Sequence, residues 1–128
     1  MRAALASIRN RLDRMGILLS ALCVLHCLAG IVLVAGLGIG GEFLFAPSIH
    51  RIGLALAIFI GGITLLMGIA RHGDSRPLQM GVVGLALMMA ALLVGHGIPE
   101  AVLTVSGVSL LALAHLRNLR LGNCATCD

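Results

Sequence analysis

Long runs without a charged side chain constrain this chain more than any other feature. No charge falls between Arg14 and Glu42, between Arg51 and Arg71, between Arg76 and Glu100, or between Glu100 and Arg117. Each run is near the roughly 20 apolar residues that a helix needs to cross a bilayer. The whole chain is 59% hydrophobic and 11% charged. Soluble domains carry about 45–50% apolar and about 25% charged residues, so this composition belongs to the membrane class. No segment outside the runs is long enough to bury a core of its own.

The expected fold is therefore an all-α integral membrane protein, one domain of four antiparallel transmembrane helices over residues 1–128. The spans are expected at about 15–39, 49–70, 78–95 and 99–116, followed by a cysteine-containing tail at 117–128. Punctuation agrees with the cuts. Gly38, Gly40 and Gly41 close the first span, Pro47-Ser48 opens the second, and Ser75 with Pro77 opens the third. His96-Gly97-Ile98-Pro99 turns into the fourth, with Glu100 in its first turn, where the helix dipole favours a negative charge. The Arg-rich start resembles a signal peptide, but its apolar part is too long for one, and it is read as a retained helix.

All nine basic residues are arginine, and eight of them fall at the N-terminus, in the loop between spans two and three, or in the tail. The positive-inside rule makes that side cytoplasmic and puts both termini there. The net charge of +4 thus reports topology, and no nucleic-acid partner is expected. Gly53, Ala57 and Gly61 form one small-residue row and Gly36 with Gly40 another, both candidates for close helix contact.

The chemistry sits in the cysteines. Cys23-Val-Leu-His26-Cys27 lies at bilayer depth in the first run, and Cys124-Ala-Thr-Cys127 lies at the end of the chain. On a helix, positions 23 and 27 share a face with Cβ atoms about 5–6 Å apart. A lone membrane cysteine is only a small hydrophobe. Two at this spacing, with an imidazole between, make a functional pair the better reading. Cytosolic thiols stay reduced and remain available as ligands. Thiolates select soft ions such as Cu(I), Zn(II) and, by the same logic, Hg(II). Two of them make a complex with a divalent ion formally neutral, which removes most of the cost of placing it in a bilayer. Thiols lose protons on binding, and His26 is the expected acceptor. The other histidines are weaker signals. His50 and His72 read as solvated loop residues, His96 as a capping or interfacial residue, and His115 as a cation in the last turn of the fourth span.

The chain resembles the MerC-type mercury-resistance membrane proteins. The residues that carry this are Cys23-Val-Leu-His-Cys27 behind Arg11-Leu-Asp13-Arg14, and Leu113-Ala-His115-Leu-Arg117-Asn118 ahead of the terminal cysteines. The resemblance implies a four-helix protein of the bacterial inner membrane that takes up Hg(II). The ion would pass from Cys23 and Cys27 to the cytoplasmic thiols of Cys124 and Cys127, and on to an acceptor such as a mercury reductase. Hg(II) is then the transported ion and no permanent cofactor is expected. Neither is an enzymatic activity, and a homo-oligomer is left open.

Three alternatives stand beside this. The same ligands suit Zn(II), Cd(II) or Cu(I). A membrane thiol–disulfide oxidoreductase also uses two cysteine pairs, but it needs them on the outer side. The charge pattern puts Cys124 and Cys127 inside and Cys23 and Cys27 in the inner half of the first span. Haem ligation by His26 and His115 is the third.

Overall fold

The computed structural model describes residues 1–44 and 46–124; it is helical, with no strand among the described residues. Helix α1 runs Arg2–Ile31 and continues without a break into a π-helical turn, Val32–Gly36. A single turn, α2, covers Gly41–Leu44. Then follow α3, Pro47–His72, α4, Arg76–Ala91, and α5, Ile98–Cys124.

Breaks fall where the backbone chemistry demands them. Gly38 and Gly40 take positive φ values of 66° and 77°, which reverses the chain after the π turn. Pro47 opens α3, and Gly73 closes it at φ 72° with its N–H on the Ile69 carbonyl at 2.9 Å. The carboxylate of Asp74 accepts the Arg76 N–H at 2.9 Å, tying the loop to the start of α4.

The helices depart from the expected spans at several ends. α1 begins at Arg2 and not near residue 15, because arginine and alanine are good helix formers. A first charge marks a membrane boundary, not a helix start. α4 ends at Ala91 and not at residue 95, since 92–97 form the turn that holds Gly95 and Gly97 at positive φ. α5 continues past residue 116 to Cys124, so the segment read as a tail is helical at least that far. No glycine or proline interrupts it between Leu116 and Leu121.

Three stretches are long and apolar enough to cross a membrane: Ala4–Gly36, Pro47–His72 and Ile98–Cys124. The 16 residues of α4 span only about 24 Å at 1.5 Å each, short of a hydrocarbon core of about 30 Å. The most apolar 18 residues of α5 have a mean hydropathy of 1.5 against 2.7 and 2.4 in the other two, because α5 carries polar residues on its inner face.

The molecule is apolar outside as well as inside. Leu22, Leu25, Phe59 and Leu66 project outward, while Leu54, Ala57, Leu65, Met88, Val108, Leu111 and Ala114 form the core. Between lipid-facing helices the hydrophobic effect gives little net attraction, so close packing has to hold them. The tightest approach is Gly84 of α4 on Gly107 of α5. A Cβ on either would lie 2.7 or 2.6 Å from the other's carbonyl oxygen. Of the two rows read from the sequence, Ala57 and Gly61 are buried, but Gly36 faces open space with nothing within 4 Å. That second row serves the chain reversal, not helix contact.

Candidate metal centre

The buried face of α1 is built almost without hydrocarbon. Its buried residues are Arg9, Asp13, Gly16, Ser20, Cys27 and Gly30, with Cys23 half-buried on the same stripe. Their alternating spacing of four and three is the seam pattern of a packed helix. Here the seam positions hold polar groups, thiols and glycines. In a membrane such groups must face the protein interior.

Cys23 and Cys27 line one cavity of about 380 Å³ together with His26, His50, Gly53, Met88 and Thr104. Gly53 of α3 packs beside the first thiol, where a Cβ would rest in ordinary van der Waals contact, 3.8 Å from Cys23 Sγ. Among the described residues all three cysteines are free, with Cys27 buried and Cys124 exposed.

The cavity lies at the end of the bundle that holds Arg51, away from the other eight arginines. Cys27 Sγ is 4.0 Å from His50 Nε2 in the first turn of α3, and Thr104 comes from the second turn of α5. At the other end Asn10 Nδ2 donates to Asn123 Oδ1 at 3.4 Å.

The histidines are redistributed. His26 does not reach toward the thiols with its Nε2, which meets the Leu44 carbonyl at 2.8 Å and so ties α2 to α1. His50 is not a solvated loop residue. Its side chain is 11% exposed, its ring packs edge-on to His26 at 5.9 Å, and it is the imidazole in contact with Cys27. His50 Nδ1 faces Glu100 Oε1 at 3.8 Å, and Glu100 Oε2 takes His96 Nδ1 at 3.0 Å. Thiol, imidazole, carboxylate and a second imidazole thus follow one another from the cavity to the turn before α5.

A second polar knot sits nearer the arginines. Asp13 is fully buried, and its carboxylate meets His115 Nδ1 at 2.8 Å and Asn118 Nδ2 at 2.9 Å. Thr64 lies 3.3 Å from His115 Nδ1, and His72 Nε2 reaches Asn118 Oδ1 at 3.0 Å. His115 is therefore not near a helix end but an interior partner of Asp13, and His72 is likewise not a solvated loop residue. Gly16 and Gly68 provide the space: a Cβ at Gly16 would strike the His115 ring, and one at Gly68 would strike Asn118. His26 and His115 belong to these separate constellations, so nothing in the geometry favours joint haem ligation.

Cys124 is exposed at the end of α5. Twenty residues of helix separate it from Thr104 at the cavity, about 30 Å along the axis. Cys127 lies outside the described residues.

Sequence reading missed His50, Glu100 and Thr104 around the thiols and Asp13, Thr64 and Asn118 in the knot. The available signal was the spacing 9, 13, 16, 20, 23, 27, 30, which threads Arg9, Asp13, Ser20, both thiols and both glycines of α1 onto one seam.

A family model described as MerC mercury resistance protein matches residues 13–120. No curated protein and no solved structure matches the chain. The matched stretch holds Cys23, Cys27 and both polar constellations, and it ends before the terminal cysteine pair.

Proposed function

The chain belongs to the MerC mercury resistance family, and on that premise we propose that it binds Hg(II) between Cys23 and Cys27 and carries it inward across the bacterial inner membrane. The observation that carries this reading is the shared cavity: both thiols line one half-open, apolar cleft on the polar seam of α1. Hg(II) is a soft divalent ion that two thiolates satisfy and neutralise, and neutrality is what an apolar cavity requires. The two thiols release two protons as the ion binds. His50 Nε2, 4.0 Å from Cys27 Sγ, is the group placed to take one.

In this reading the helices alternate in direction and both termini are cytoplasmic, as the arginines require. The cavity then opens toward the outer side, and Cys124 with Cys127 receive the ion inside. No nucleotide motif is present, so transfer runs down thiol affinity. The inside-negative potential adds about 2.3 kcal/mol per charge per 100 mV to any step in which the ion moves charged. The distance of about 30 Å between cavity and Cys124 rules out direct contact of Cys124 with the cavity thiols in this conformation, and an intermediate carrier or a rearrangement spans it. The oxidoreductase reading gains nothing from the cavity's position, because Cys124 stays at the opposite end.

Uptake of radiolabelled Hg(II) by cells expressing the protein tests the proposal. Cys23→Ser and Cys27→Ser should each abolish uptake, and the double variant should add little, because both thiols hold one ion. A single variant that keeps most of the uptake would sink the bis-thiolate site.

A further inference from the structure

The chain of groups beyond Cys27 has a geometry that hydrogen bonding alone does not use up. Glu100 is 3% exposed, yet among the described residues its ion-pair partners are histidines and no arginine. A carboxylate buried in an apolar bundle needs a positive partner. His96 Nδ1 occupies one carboxylate oxygen at 3.0 Å. That contact by itself is an ordinary i, i+4 pair in the first turn of a helix.

The independent observation is His50. Its Nδ1 is buried, has no hydrogen-bond partner, and faces the other oxygen of Glu100 at 3.8 Å. A buried nitrogen left without a partner is destabilising. Two imidazole nitrogens therefore flank one carboxylate, each directed at a different oxygen. Nitrogen and oxygen ligands of a tetrahedral ion, each about 2.0–2.2 Å from it, stand about 3.3–3.5 Å apart. The separations of 3.0 and 3.8 Å bracket that value. As they lie, no three such groups among the described residues form a closed ligand set. The adjustment needed falls on His96, whose side chain is 55% exposed in the turn before α5 and free to swing.

We propose that His50, Glu100 and His96 form a second, sulfur-free cation site beside the thiol cavity, which takes a borderline divalent ion such as Zn(II). Two imidazoles and a carboxylate suit such ions, whereas the thiols beyond prefer softer ones. With an ion on Nδ1 the neutral ring of His50 carries its hydrogen on Nε2 and donates toward Cys27, so His50 takes a thiol proton only while this site is empty. A divalent cation also supplies the counter-charge that Glu100 lacks. The site is independent of whether the thiols carry mercury.

The test uses the full chain in detergent with Cys23, Cys27, Cys124 and Cys127 all replaced by serine, so that no sulfur contributes. Calorimetric titration with Zn(II) should show about one saturable site per chain. Glu100→Gln and His96→Ala should each weaken it by about 10–100-fold or more, and His72→Ala, in the other constellation, should leave it unchanged. With Cu(II) as the probe, electron paramagnetic resonance should show coupling to two imidazole nitrogens, reduced to one in His96→Ala. Absence of a saturable site would overturn the proposal, as would binding that persists in both Glu100→Gln and His96→Ala. If Glu100→Gln fails to fold, His96→Ala decides alone, because an exposed side chain can be truncated without opening the core. Mercury uptake by the unmodified thiols is measured separately and stands or falls on its own.

Discussion

Replacing Gly16 by alanine puts a methyl group where there is no room for one. A Cβ built there lies 2.5 Å from His115 Nε2 and 2.7 Å from two ring carbons. The ring cannot simply step aside, because it is 1% exposed and held to Asp13 at 2.8 Å. An alanine in a helix interior otherwise stabilises by about 0.5–1 kcal/mol over glycine. Against that, overpacking costs about 1–3 kcal/mol, and drawing His115 off the carboxylate removes a charge-assisted bond of about 1.5–3 kcal/mol. The net expectation is a loss of about 2–5 kcal/mol from these terms. Gly62 is the control, since a Cβ there meets nothing within 4 Å. Gly62→Ala should therefore be about 0.5–1 kcal/mol more stable than the native chain. Unfolding of the purified proteins in detergent, followed by circular dichroism, measures both. A Gly16→Ala protein as stable as Gly62→Ala would refute the placement of His115 against α1, and with it the polar knot.

Other outcomes follow from the same geometry. Replacing Cys124 and Cys127 together by serine should leave Hg(II) admission partly intact and slow its delivery to a soluble thiol acceptor, measured in vesicles loaded with that acceptor; complete loss equal to that of Cys23→Ser would contradict this order. His50→Ala should slow uptake more than His26→Ala, because His50 touches Cys27 at 4.0 Å while His26 is spent on the Leu44 carbonyl. Both variants should keep stoichiometric Hg(II) binding, and loss of binding in His26→Ala would make that residue a ligand after all. A reporter fused at Asp128 should be active only in its cytoplasmic form, and periplasmic activity would reverse the topology.

The charge-free runs located the helices because in a bilayer the cost of a buried charge leaves few alternatives. They could not set helix ends, since Arg2 to Arg14 continue a helix as readily as they mark a membrane surface. The two thiols of the cavity were legible from spacing alone. Their neighbours were not, because His50 and Glu100 are 50 residues apart and meet only when α3 and α5 pack. Local context made His50 look like a loop residue beside Pro47-Ser48, although it is one turn inside α3. Asp13 was given no interior role for the same reason. Its partners His115 and Asn118 lie more than 100 residues away, and only the seam spacing on α1 hinted that it points inward.

That separation orders the protein's biogenesis. A ribosome adding about 5–20 residues per second delivers α1 roughly 5–20 s before the 102 residues to His115 are complete. For those seconds Asp13 lacks His115 and Asn118, while α3 already packs beside the thiols through Gly53 and His50. α5 brings the partners of Asp13 and also Glu100 and Thr104 beside the thiols. Insertion of the final helix and completion of the thiol cavity are therefore one event. A nascent chain released early carries two thiols with no finished pocket around them and a carboxylate without its partners.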